Sequence, residues 1–309
     1  MKVAPLLLLV YKRLDTLQEV WKVLEQVKPP TLFVSGDGPK PDPTEKAQVQ
    51  AVRSFIQQNL SWRCDAYFNF YPENQGLYYG VSGGISWFFE AVEEGIILED
   101  DTLPHPDFFL YATQLLERYR EEPRVGSISG DQLLPGWSFS AGYDFIRIPL
   151  IWGWATWRRV WQRYDRDMKL WPQAQAENFP FTALSGNPRL ARHLRDRFAH
   201  VYRHKSTWDY QLTFSLLREG LLTVVPARNL VRNIGIRHSL GHNTRRQRPW
   251  QKLPLEGWQD TDPPPALAPN LPYERALTYY MIFPPLWVKA WYRMGGDYPY
   301  LYCPFLRRV

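Results

Sequence analysis

Apolar residues fall along this chain in two rhythms. Some form short unbroken runs, and others return every three or four positions. The first run, Leu6-Leu7-Leu8-Leu9-Val10, has the length and continuity of a strand buried on both faces. Beyond it Leu17, Val20, Trp21, Leu24 and Val27 recur at helical spacing. Asp15 stands where it would cap that helix, Gln18 follows three residues on, and Pro29-Pro30 ends it. Residues 31–34 predict a second strand, closing at Ser35-Gly36-Asp37-Gly38. Asp42-Pro43-Thr44-Glu45 reads as a capping box with proline in the first helical position, opening a helix to about Leu60. Residues 64–70 predict a third strand. Strand, helix, strand, helix, strand at this spacing predicts a doubly wound, mostly parallel sheet.

The pattern continues with helical periodicity over 85–93, an apolar run at Gly95-Ile96-Ile97-Leu98, and an amphipathic helix over 107–122. A strand is predicted at 125–129, helices at 157–164, 189–198 and 207–218, and a late strand at 222–225. The regular alternation loosens after Trp137, where a second half of the sheet is expected. Beyond about Gly241 come Arg245, Arg246, Arg248 and a Pro263-Pro264-Pro265 linker, followed by alternating aromatics and prolines. The chain therefore divides into a domain over 1–245, in two halves (1–130 and 131–245). Residues 246–309 form a Pro/aromatic-rich extension.

Composition narrows the class. Aromatic residues make up 16% of the 309, and the net charge is +6, which fits anionic partners. With two cysteines, Cys64 and Cys303, far apart, neither a metal knuckle nor a disulfide framework is available. The N-terminal run is too short to span a bilayer and no cleavage site follows it, so a cytoplasmic location is expected. The basic, aromatic C-terminal stretch adds an expectation of peripheral contact with a membrane surface.

The chemistry concentrates at strand ends. Glu99-Asp100-Asp101 follows the apolar run at 95–98, at the end of a strand that would face the ligand crevice of an open α/β sheet. Three carboxylates there repel one another unless a hard divalent cation takes their oxygens and bridges them to phosphate. The plainer alternative is an acidic surface turn. Arg13 follows the first strand, where a guanidinium can clamp a diphosphate. Asp37 lies between two glycines at the end of the second, where a ribose or base is met. Asp209 opens a helix, as a general base or as a carboxylate favoured by the helix dipole. Gly153 and Trp154 stand in an indole-rich turn suited to sugar stacking or to core packing, and His238 and His242 lie in a glycine-punctuated loop.

Taken in order, these residues resemble the glycosyltransferases of GT-A fold, most closely the N-acetylglucosaminyltransferase I family. The specific match is Leu98-Glu99-Asp100-Asp101-Thr102-Leu103-Pro104-His105-Pro106-Asp107-Phe108-Phe109, with Arg13, Ser35-Gly36-Asp37, Gly153-Trp154, Trp208-Asp209 and the 238–242 loop in family order. Tyr11-Lys12 and Tyr210 depart from the family pattern. The resemblance implies a metal-dependent inverting glycosyltransferase. Asp101 would bind Mn2+ or Mg2+, Glu99 and Asp100 would support it, and Asp209 would be the base. It further implies a nucleotide-sugar donor, with a UDP-sugar favoured, and a glycan or glycolipid acceptor. Two alternatives are a nucleotidyltransferase on a similar sheet and a nucleic-acid-binding protein. The first lacks a glycine-rich phosphate loop at residues 11–16. Against the second stand the acids of the crevice, so nucleic acid is not an expected partner.

Overall fold

In the computed structural model, residues 3–134, 136–235, 253–259 and 262–294 are described. Strands β1 (Leu6–Val10), β2 (Thr31–Gly36), β3 (Asp65–Phe70) and β4 (Glu94–Glu99) alternate with helices α1 (Leu14–Val27), α2 (Pro43–Asn59) and α3 (Ser82–Ala91). Then come β5 (Thr102–Pro104), α4 (Asp107–Arg118), β6 (Val125–Ser129), β7 (Tyr143–Ile146) and β8 (Trp154–Trp157). Helices α5 (Arg158–Trp161), α6 (Trp171–Ala176), α7 (Pro188–His204) and α8 (Asp209–Arg218) precede β9 (Leu222–Pro226) and β10 (Val231–Asn233). The last described helices are α9 (Leu271–Leu277) and α10 (Leu286–Arg293).

The main sheet has the order β3-β2-β1-β4-β8-β6-β9-β7, and β5 pairs with β10 in a separate ribbon. Strands β1 to β4 are mutually parallel, as is β6 with β9, whereas β8 runs antiparallel between β4 and β6 and β7 lies antiparallel on β9. The fold is thus α/β and Rossmann-like, with a mixed, mostly parallel sheet flanked by helices. All five residues of β1 are buried, as the unbroken apolar run requires of a strand covered on both faces. The chain moves outward from β1 to β2 and β3, then returns to the other side of β1 as β4. That reversal opens a crevice at the carboxyl ends of β1 and β4.

Two buried clusters stabilise the halves. One packs α1, α2, α3 and α4 on the sheet through residues such as Trp21, Phe88, Phe108 and Trp157. The other is built on β7, α6, α7 and α8. The division placed at residue 246 does not follow these clusters. Leu253, Tyr273, Leu277, Tyr280 and Val288 fill the second one, and Leu253, Tyr273, Leu277 and Val288 are each at most 1% exposed. Alternating prolines and aromatics read as an extension because their helices are short and lack a long apolar stripe. Only the partner surface shows that they are core.

Two local expectations are also corrected. Asp15 lies within the first turn of α1 and does not cap it, because Arg13 holds the N-cap position without a side-chain cap. At α2, Asp42 does cap, its Oδ1 accepting from the Glu45 amide at 2.8 Å. The Glu45 carboxylate, however, does not return to the cap. It accepts from Lys12, Tyr11 and the Lys40 amide.

Candidate functional site

The crevice is built outward from β1. Beyond Val10, Tyr11 donates its amide to Asp100 Oδ2 at 3.0 Å, and Asp100 in turn donates its own amide to the Leu9 carbonyl at 2.9 Å. The turns after β1 and β4 are therefore laced together by backbone and carboxylate. Arg13, at the start of α1, spans both acids. Its Nη2 lies 2.6 Å from Asp100 Oδ1 and its Nη1 lies 2.5 Å from Asp101 Oδ2. Both carboxylates are buried, and Arg13 is largely so.

Among the described residues the charges do not balance locally. There Glu99, Asp100 and Asp101 face a single guanidinium, and Asp209 at the start of α8 adds its field to Glu99. Burial first, and then Asp101, push the Glu99 carboxyl up to about 8, with Arg13 opposing. Burial likewise raises Asp100 to about 6 against the pull of Arg13. Burial alone would lower the Arg13 pKa, yet Asp100 and Asp101 raise it further. Asp101 Oδ1 is buried with no hydrogen-bond donor among the described residues. Above the Arg13–Asp101 pair runs the chain leaving β10. A Cβ built on Gly235 would lie 2.0 Å from Asp101 Oδ2, so only glycine permits that approach.

A cavity of about 310 Å³ opens beside this cluster, with Tyr11, Lys12, Arg13, Asp37, Lys40, Asn74, Glu99 and Asp100 on its wall. Ser206, just before α8, closes one side. Asp37 is held rather than free. Its Oδ1 accepts from the amides of Gly38 and Gln75 at 2.8 and 2.7 Å, and its Oδ2 accepts from Asn74 Nδ2 and the Gly76 amide at 2.9 and 3.0 Å. It fastens the 74–76 loop against the end of β2. The Tyr11 hydroxyl donates to Glu45, and Lys12 lies 2.5 Å from the same carboxylate.

The structure thus brings Arg13, Asp37, Glu99, Asp100 and Asp101 to one crevice, with Asp209 at its margin. There Thr207 donates its hydroxyl to Asp209 Oδ1. Trp154 lies elsewhere. It is 1% exposed in β8 and stacks on Trp208 with ring centroids 5.9 Å apart, so its indole is core and is not offered to a sugar. Gly153 precedes it with φ of +69°, and a Cβ there would stand 2.6 Å from Val231 Cγ2, so this glycine serves a tight turn packed on β10. His238 and His242 lie outside the described residues.

Lys12, Lys40, Tyr11, Glu45 and Asn74 were not singled out from the sequence. Lys12 beside Arg13 was the available signal. Glu45 was masked by its position in a capping box. Asp131 is also unforeseen. It follows β6 on the same edge of the sheet, is 1% exposed, accepts from the Trp152 amide at 3.1 Å, and burial keeps its pKa well above the ordinary carboxylate value.

No protein-family model matches the chain, and no curated protein matches it. Solved structures similar to it include UDP-glucose pyrophosphorylase complexed with UDP-glucose, at 11% identity and a TM-score of 0.31, covering 52% of this chain and 78% of that one. HddC from Yersinia pseudotuberculosis is similar at 11% identity and a TM-score of 0.32, covering 52% of this chain and 80% of that one. A 4-diphosphocytidyl-2C-methyl-D-erythritol synthase from Anaerococcus prevotii is similar at 7% identity and a TM-score of 0.31, over 52% and 76%. These likenesses are distant and transfer no activity. The proteins named are a pyrophosphorylase, HddC and a synthase. None is a glycosyltransferase of the N-acetylglucosaminyltransferase I type, so the expectation of a metal-dependent inverting transferase of that kind is not borne out.

Proposed function

We propose that the chain is a divalent-cation-dependent nucleotidyltransferase that binds a nucleotide or nucleotide sugar over β1, β2 and β4 and acts at its phosphates. The observation that carries this reading is the gathering of carboxylates at the switch point of the sheet, where, among the described residues, Arg13 is the one cation paired with Asp100 and Asp101 and set against Glu99. Among the described residues no group of three or more metal-ligating side chains is already gathered. What suits a hard cation such as Mg2+ or Mn2+ is the chemistry of the oxygens, which are carboxylates, with Asp101 Oδ1 buried and without a donor among the described residues. Asp101 and Glu99 would hold the ion, which when bound offsets the negative charge of phosphate and leaving group.

The chain's own side chains supply the rest. Arg13 and Lys40, with Lys12 paired to Glu45 beside them, line one wall of the cavity, where a triphosphate or diphosphate would lie. The turn after β1 holds no glycine, so these contacts come from side chains rather than from a backbone cradle. Asp37, by fastening the 74–76 loop, shapes the opposite end for base and ribose. In nucleotidyl transfer an acceptor phosphate oxygen bonds to the α-phosphorus as the bond to pyrophosphate breaks. The acceptor is already anionic, so no general base is required. Asp209→Asn is therefore expected to keep turnover within about threefold, measured as pyrophosphate release.

Thermal unfolding across a panel of nucleoside triphosphates with and without Mg2+ tests the reading. The expected outcome is a rise in Tm of several degrees that needs both nucleotide and metal and disappears in Asp101→Asn. No shift with any nucleotide, or the same shift in Asp101→Asn, would overturn it.

A further inference from the structure

On α10 the amphipathic pattern is turned outward. With about 100° of rotation per residue, Leu286, Ala290, Met294, Trp287 and Trp291 fall on one continuous arc. Val288 and Tyr292 lie opposite. Val288 is fully buried and, with Tyr292, packs against the second core, pinning the helix by its narrow side. The broad apolar arc faces solvent, with Leu286 83%, Met294 77%, Trp287 46% and Trp291 38% exposed. Lys289 and Arg293 border it, and both are exposed. From Arg275 to Gly296 the sequence holds no carboxylate.

We infer that α10 is an interfacial helix by which the protein docks on an anionic lipid bilayer. An outward arc of indoles and aliphatic side chains with cations along its edge matches the headgroup boundary, where indole is favoured and Lys or Arg meets anionic lipid. A protein partner of the same area would have to supply carboxylates at one edge only. The bilayer presents anionic charge on every side, and the net charge of +6 adds long-range attraction. Among the described residues no helix is long and apolar enough to cross a membrane, so the contact is one of lying on the surface.

Co-sedimentation of the full chain with vesicles tests this. Vesicles of phosphatidylglycerol and phosphatidylcholine should pellet the protein, pure phosphatidylcholine vesicles much less, and 0.5 M salt should release it. Leu286→Ser/Met294→Ser, at the most exposed positions of the arc, and, separately, Lys289→Glu/Arg293→Glu should each weaken binding about tenfold or more, with circular dichroism and Tm read alongside to show that the fold is kept. Pelleting equal in wild type and both variants, or none with anionic vesicles, would overturn the inference. So would self-association in sedimentation velocity that the Leu286→Ser/Met294→Ser variant abolishes while vesicle binding persists, since a second copy would then be the occupant.

Discussion

At the scale of single residues the molecule is governed by where carboxylates find compensation. Glu45 is the well-compensated case. Burial would raise its pKa, but hydrogen bonds from Lys12 and Tyr11 outweigh that and hold it at about 2. A folded pKa below the unfolded one stabilises the fold above about pH 4.5, and the contribution is lost as pH falls towards 2. Glu45→Gln should accordingly lose on the order of 2 kcal/mol at pH 7, and denaturant titrations at decreasing pH should show the gap from wild type closing below pH 4.5. Glu99 to Asp101 are the opposite case, with one guanidinium for three acids among the described residues. Composition could not separate the two, since both are acids near basic residues. Asp101 was legible from its place after an apolar run. The pairing of Arg13 with both aspartates was not, because the three groups are 88 residues apart in sequence for one pair and 87 for the other.

At the scale of elements, the strands and helices that fold locally were the readable ones. The predicted segments at 31–34, 125–129 and 222–225 all lie within strands, short stretches rich in β-branched residues and small enough in their polar members to be buried almost throughout. The helix expected over 157–164 shrinks to Arg158–Trp161, because Trp157 belongs to β8 and pairs with Glu94. Strands β5, β7 and β10 are three or four residues each and carry no period of their own. Helix α9 is similarly short and is held by tertiary contacts. Arg147 beside β7 reaches Glu274 at 2.5 Å, and Glu274 is fully buried. Arg147→Ala would leave that carboxylate uncompensated and should cost about 3–5 kcal/mol in urea unfolding. The Arg147→Met/Glu274→Leu double variant should recover most of the loss.

For the whole molecule, the two buried clusters set what can be removed. Residues after 262 supply Tyr273, Leu277, Tyr280 and Val288 to the second cluster. Truncation near residue 262 is expected to abolish cooperative unfolding and to produce dye binding characteristic of exposed core, read by circular dichroism and fluorescence. Point variants on α10 are thus the sound route to its outward face.

The sequence by itself determined the α/β class, the order of the first four strands and the position of the acidic cluster. Each rests on local periodicity, and a strand that ends in acids declares itself without its neighbours. Only the tertiary structure decided which charges are left over. It joins Arg13 to Asp100 and Asp101, closes Asp37 with its own loop, sinks Trp154 into the core and turns the apolar arc of α10 to solvent. Hydration, and so the energy of a charge or an indole, depends on what the folded chain brings beside it, and that neighbour is distant in sequence.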